Sequence, residues 1–130
     1  MDSVVKLLQH DFNSTQSKYT DLWVQCDTVI FGLHRIVLEA HSEYFNALDR
    51  FAQERTSPES PVILDEFPGG AECFRAIIRY CYSDDSSHSQ IPSELLLCCA
   101  QGADRLLMPT LLHSLKIQIQ TLDLQGRINV

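Results

Sequence analysis

Histidine and cysteine are the residue types in this sequence that could support metal binding or nucleophilic chemistry, and there are five of each. Only His34 and His41 lie close together among the histidines. We expect His34 to end a strand and His41 to end a helix, so they do not share a helix face, and two ligands alone do not close a zinc site. We interpret His34 as a ring that is satisfied by backbone.

The cysteines are an odd number, scattered among apolar neighbours without a C-x-x-C pair or a histidine at finger spacing. This pattern predicts buried free thiols in a reducing compartment. Cys98 and Cys99 are adjacent in a predicted helix, so one thiol should face the core and the other should point sideways. A vicinal disulfide does not fit a regular helix.

No other group of residues has the spacing of a catalytic site. There is no nucleophile with a positioned base and no glycine loop followed by lysine. Asp84 and Asp85 are adjacent carboxylates in a serine-rich stretch, which is typical of a solvated turn. We therefore expect a protein that is not an enzyme and that holds no cofactor and no metal.

Length and charge narrow the classes of partner. A chain of 130 residues with 45% hydrophobic side chains can form one domain with its own core. Seventeen acidic against ten basic residues give a net charge of −7, which disfavours nucleic acid and leaves proteins as the expected partners. No apolar run is long enough for a membrane span or a signal peptide, so we expect an intracellular, soluble chain in the cytoplasm, the nucleus or both.

The elements that would position any site follow an α+β order, with strands early and helices late. A short amphipathic helix is predicted at residues 3–12, then a hairpin formed by 21–26 and 29–33. Two short helices should follow, one from Ile36 and one capped by Ser42, and then a strand over 61–65. The apolar spacing of Phe74, Ile77, Ile78 and Cys81 predicts a buried helix face, and further helices begin after Pro92 and at Pro109, the last ending near Gly126.

Four segments of this string, in this order, resemble a known family. They are Asp21-Leu22-Trp23-Val24; Phe31 to Leu38 with Ser42 to Leu48; Phe74 to Ser83; and Ala103-Asp104-Arg105-Leu106 followed by Met108-Pro109-Thr110-Leu111. Their pattern is similar to that of the BTB/POZ domain. The resemblance covers residues 17–122 and implies the BTB/POZ fold, a small β-sheet with a cluster of packed α-helices. It leaves 1–16 as an N-terminal amphipathic helix and 123–130 as a C-terminal tail.

The resemblance also implies a homodimer. In the family, a helix ahead of the first strand packs against the partner subunit, which makes Val4, Val5, Leu8 and Phe12 candidate dimer contacts. The alternative is that this helix packs on its own domain. Asp21 and Arg35 match the paired Asp and Arg of a charged pocket near the dimer interface in zinc-finger BTB proteins. The alternative there is an Asp that caps a turn and an exposed Arg.

A second implied role is that of an adaptor for a cullin-3-type ubiquitin ligase. The candidate cullin contacts lie on and after the second helix: Tyr44, Phe45, Leu48, Phe51 and Glu54. The sequence departs from the family's apolar-x-Glu motif, because Phe51 is one residue too far from Glu54 and Ala52 supplies only a methyl group. The alternative function is a transcriptional regulator or scaffold that binds corepressor-type peptides beside Arg35 without cullin. We expect no further module after Leu122 that would name a substrate.

Overall fold

The computed structural model describes residues 19–51, 57–82 and 91–124. The predicted helix at 3–12 and its predicted end near Gly126 lie outside these residues. The described elements are β1 (Leu22–Cys26), β2 (Val29–Leu33), α1 (Arg35–His41), α2 (Glu43–Phe51), β3 (Val62–Leu64), α3 (Gly70–Cys81), a 3-10 turn (Ser93–Leu95), α4 (Leu96–Arg105) and α5 (Pro109–Leu124). They form the predicted α+β arrangement around a three-stranded sheet in the order β2-β1-β3.

The predicted hairpin is confirmed. β1 and β2 pair antiparallel, from Leu22 opposite Leu33 to Cys26 opposite Val29. The two-residue connection begins with Asp27 at a φ of 56°, a left-handed conformation that Asp tolerates in tight turns. Leu22, Val24 and Cys26 alternate onto the buried face, as the period of a strand requires.

The third strand lies beside β1 and runs parallel to it, from Val24 opposite Val62 to Cys26 opposite Leu64. A parallel neighbour needs a crossover, and α1 and α2 provide it. The strand ends at Leu64, one residue earlier than predicted, because Asp65 and Glu66 enter a turn in which Glu66 has a φ of 52°.

Helix α3 begins at Gly70, so the predicted break at residues 68–70 is shorter than expected. The reason lies in the hairpin turn, where a carboxylate oxygen of Asp27 accepts a hydrogen bond from the backbone N–H of Ala71 at 2.9 Å. This bond satisfies one of the unpaired donors at the helix start. A cap supplied from 44 residues away is not visible in the local sequence.

The core lies between the inner face of the sheet and the helices. Phe74 is fully buried on α3, and its ring meets Phe31 of β2 at 5.0 Å and Phe67 at 5.5 Å, both edge to face. Gly102 lets α4 approach this layer closely, since a Cβ there would lie 2.7 Å from the Phe67 ring. No helix in the described ranges is both long enough and apolar enough to cross a membrane.

Candidate interaction surfaces

Asp21 and Arg35 lie together where the hairpin meets α1. The side-chain oxygen Oδ1 of Asp21 accepts a hydrogen bond from the backbone N–H of Arg35 at 2.7 Å. The Arg35 Nε donates to the backbone carbonyl of Asp21 at 3.2 Å. Asp21 is exposed and Arg35 is half-buried. The carboxylate therefore caps the first turn of α1. This is the alternative role that we considered for Asp21 from the sequence, an Asp that caps a turn.

The surface beside this pair is apolar. Ile36, the second residue of α1, is 67% exposed, and Tyr19, two residues before Asp21, is also exposed. The buried residue of this helix is Leu38. An exposed branched side chain next to an arginine can bind a partner through apolar contact and charge together.

A second surface is built around the start of α2. The Ser42 hydroxyl accepts a hydrogen bond from the Phe45 N–H at 3.2 Å, which confirms the predicted cap. The same hydroxyl donates to the backbone carbonyl of Leu106 at 2.6 Å. The Glu43 N–H donates to the carbonyl of Leu107 at 3.1 Å. The start of α2 is thus fixed to the connection between α4 and α5.

A cavity of about 300 Å³ opens beside this junction. Its lining is almost wholly apolar, and the acidic residues Glu43 and Asp104 lie at its margin; the other lining residues are Ala103, Leu107, Met108, Pro109 and Leu112. Leu107 is 53% exposed and has a φ of 55°. Sequence reasoning missed this cavity, although an apolar pair at 106–107 directly before Met108-Pro109 was a usable signal.

The structure locates only part of the predicted cullin contact set. Tyr44 is half-buried, and its ring meets Phe45 edge to face at 5.2 Å. Phe45 is 2% exposed, so it belongs to the core and supports Tyr44 rather than reaching a partner itself. Leu48 and Phe51 lie on α2, but their side chains are outside the described part of the chain. Residue Glu54 as a whole is outside it as well.

The four predicted dimer contacts of the leading segment, Val4, Val5, Leu8 and Phe12, also lie outside the described residues. Their assignment stays a prediction.

His34 is buried, but the partner described for its ring is a side chain rather than the backbone that we expected. Its Nδ1 lies 2.7 Å from the Tyr82 hydroxyl, which also accepts the backbone N–H of His34 at 2.9 Å. His41 ends α1 as predicted, and its ring meets Tyr80 at 5.7 Å. Burial lowers the pKa of His41, because the charged ring would lose water.

The five cysteines are free thiols, and Cys98 is the half-buried member while the others are buried. This confirms the predicted division between Cys98 and Cys99. Burial raises the pKa of Cys26, Cys73 and Cys99, and raises that of Cys81 to about 12. In the ranges that the structure describes, no cluster of three or more His, Cys, Asp or Glu side chains could hold a metal ion.

Comparisons with known proteins agree with this architecture. The family model for the BTB/POZ domain matches residues 11–122. A BTB/POZ domain-containing protein of Arabidopsis thaliana is 31% identical over 85 residues, which are 63% of this chain and 14% of that protein. The chain therefore spans only a small part of that relative's length.

Two solved structures share the fold. The BTB domain of zebrafish PATZ1 superimposes with a TM-score of 0.75 at 18% identity, over 92% of this chain and 90% of that one. The BTB domain of human gigaxonin gives 0.67 at 17% identity, over 87% and 85%. With the family model covering most of its length, the chain belongs to the BTB/POZ family, whose domains are protein–protein interaction modules.

Proposed function

We propose that this protein is a non-catalytic interaction module that homodimerises inside the cell and serves as an adaptor for a cullin-3-type ubiquitin ligase scaffold. The observation that carries the adaptor proposal is the apolar cavity beside the start of α2, with Glu43 and Asp104 at its margin. It adjoins the helix through which family adaptors contact cullin.

The dimer proposal rests on the leading segment and the Asp21–Arg35 surface. A short helix with four large apolar residues gains stability mainly by burying them. Leu8→Asp should convert the dimer into a monomer in light scattering at micromolar concentration. Gln9→Asp adds the same charge on the polar side of the predicted helix and should leave the dimer intact. A wild-type monomer, or a dimer that Leu8→Asp does not change, contradicts the proposal.

The chain lacks the large apolar residue of the family's apolar-x-Glu motif and has Ala52 in its place. Ala52 buries less area than the larger residue of the family motif, which costs roughly 1–2 kcal/mol of contact. The cavity lined by Leu107 and Leu112 offers a compensating contact, because an apolar side chain of the partner can fill it.

The test is calorimetry with a purified cullin-3 N-terminal domain. Leu107→Asp should abolish the binding heat, and Asp tolerates the left-handed backbone at this position. Ile63→Asp changes a residue that is 60% exposed on the sheet and should bind as the wild type does. Ala52→Met should tighten binding about tenfold. Absence of binding by the wild type and by Ala52→Met rejects the adaptor role.

The exposed Ile36 beside Arg35 favours one alternative, a transcriptional regulator or scaffold that binds corepressor-type peptides. This alternative predicts that such a peptide binds the wild type, that Ile36→Asp loses it, and that the cullin domain is not retained.

A further inference from the structure

Three of the five cysteines meet where α3 packs on α4. The Sγ atoms of Cys73 and Cys99 lie 3.5 Å apart. Cys73 Sγ also lies 3.8 Å from the carbonyl oxygen of Leu95, and Cys99 Sγ lies 3.8 Å from the carbonyl oxygen of Cys73. Leu95 lies one helical turn before Cys98 and Cys99, so Cys73, which contacts Leu95 and Cys99, also lies near Cys98.

Gly69 brings Cys98 into this group. A Cβ placed on Gly69 would lie 2.7 Å from the Cβ of Cys73 and 2.8 Å from the Cβ of Cys98. Both cysteines therefore abut the same glycine, where the absence of a side chain lets α3 and α4 approach. A disulfide needs Cβ atoms roughly 3.5–4.5 Å apart, and this close approach is compatible with one.

The three thiols differ in their access to solvent. Cys73 and Cys99 are fully buried, whereas Cys98 is half-buried and is the one that a small solute can reach. Burial raises the pKa of Cys73 and Cys99, so both stay protonated at neutral pH, and neither thiol meets dissolved peroxide directly. Oxidation of this cluster must therefore begin at Cys98.

We propose that Cys98 and Cys73 form an oxidative modification site, at which hydrogen peroxide generates a reversible disulfide between α4 and α3. In the first step, the Cys98 sulfur attacks one oxygen of the peroxide, the O–O bond breaks, and sulfenic acid and water are formed. In the second step, the Cys73 sulfur attacks the Cys98 sulfur and loses its proton, and the sulfenic hydroxyl leaves as water. The sulfurs lose two electrons in total, and the peroxide is reduced to water.

The disulfide would close the loop from residue 73 to residue 98 and join two helices of the core. Cys26 and Cys81 lie on β1 and at the end of α3 and serve as internal controls. A thiol reductant should reverse the bond by exchange through a mixed disulfide.

To test this, the reduced full chain is treated with millimolar hydrogen peroxide and digested with trypsin without reductant. Disulfide-linked peptides are then identified by mass spectrometry. Cleavage after arginine places Cys73 in peptide 56–75 and Cys98 in peptide 80–105. We expect these two peptides to be joined, the intact chain to have lost two hydrogens, and dithiothreitol to restore both. Unlinked peptides after complete reaction of the peroxide overturn the proposal.

Four variants identify the sulfurs. Cys98→Ser should abolish the link, whereas Cys99→Ser and Cys81→Ala, whose cysteines share peptide 80–105, should keep it. A link that persists in Cys98→Ser contradicts the assignment. Cys73→Ala should leave Cys98 as a sulfenic acid that a 1,3-dione traps, and the circular dichroism of each reduced variant shows that it is folded. If Cys73→Ala does not fold, the same dione added to the wild type during oxidation should trap Cys98 and reduce the link in proportion.

Discussion

Three residues other than glycine have a positive backbone φ in the described ranges: Asp27, Glu66 and Leu107. Leu107 is the least expected, since a left-handed conformation costs a residue of this type on the order of 1–3 kcal/mol. The surrounding hydrogen bonds hold it there, because the carbonyls of Leu106 and Leu107 accept the first N–H groups of α2. The same conformation leaves Leu107 exposed at the cavity proposed to receive a partner.

Tyr82→Phe tests the buried pair with His34. The substitution removes a hydroxyl that satisfies both the backbone N–H and the ring Nδ1 of His34. A buried donor left without a partner costs about 1–3 kcal/mol, so the free energy of unfolding in urea should fall by that amount. Tyr80→Phe is the control. The Tyr80 hydroxyl forms no hydrogen bond within the described part of the chain, so this substitution should lower the free energy of unfolding by less. Equal effects of the two substitutions would contradict this account.

At this scale the sequence predicted which residues are buried better than it predicted their partners. The cysteines were expected to be buried, and four of the five are. His34 was expected to be satisfied by backbone, but the partner described for its ring is Tyr82, which is 48 residues away and linked to it by no local pattern. Asp21 and Arg35 were paired by the family pattern, and only the structure shows that the Asp21 carboxylate caps the α1 backbone.

The elements themselves were largely predictable, because each carries its own signal. Alternation identified β1, and the spacing of Phe74, Ile77, Ile78 and Cys81 identified α3. The errors lie at element ends that depend on distant residues, such as the start of α3, which Asp27 caps. The parallel position of β3 was not predicted either, since the order of elements does not state which strand is the neighbour of β1.

Ser42→Ala tests the junction between α2 and the α4–α5 connection. The hydroxyl is buried, caps α2 and donates to Leu106, so its loss should lower the free energy of unfolding by about 1–3 kcal/mol. Ser57→Ala is a matched control, since the Ser57 hydroxyl accepts the same kind of backbone bond, from Ser60 at 3.1 Å, on the exposed surface. Thermal unfolding of both variants measures the two losses of stability. A larger loss for Ser57→Ala than for Ser42→Ala would contradict the capping role of Ser42.

Gly102→Ala tests the close contact of α4 with the core. The new methyl group would lie 2.7 Å from the Phe67 Cζ and 3.0 Å from the Ile77 Cδ1, and the rigid ring cannot yield easily. Overpacking of this kind costs about 1–3 kcal/mol, which outweighs the gain of about 1 kcal/mol in helix propensity. We expect a lower urea midpoint. Gln101→Ala, on the exposed side of the same turn, should be neutral, and a stabilised Gly102→Ala would show that the core yields.

The buried thiols give the whole molecule a dependence on alkaline pH. Burial raises the pKa of Cys81 to about 12, whereas a thiol in the unfolded chain ionises near 8.5. The folded state then binds more protons than the unfolded state above that value, so the free energy of unfolding falls as the pH rises. Below the unfolded value this stabilisation is fully present.

We expect the thermal midpoint, measured with a phosphine reductant, to decrease from pH 8 to pH 10. Cys81→Ala removes one of the contributing thiols and should make the decrease shallower, even if its midpoint is lower throughout. Parallel pH profiles for the two proteins would show that this thiol does not contribute.

Whole-molecule identity came from the order of the four sequence segments rather than from any one of them. Length and charge predicted one acidic domain, and the segments then identified the family, which the family model and the superpositions support. Partners are not encoded in the same way, because a docking surface depends on residues that the fold brings together, as at the cavity between α2 and the α4–α5 connection.

The central position of β1 has a kinetic consequence. Its antiparallel neighbour β2 is two residues away, and such a hairpin can form within microseconds. Its parallel neighbour β3 arrives only after the crossover helices, so that edge must close a far longer loop before it gains any contact. Assembly of the sheet therefore has an early side and a late side, and the parallel side would be completed last during synthesis on the ribosome.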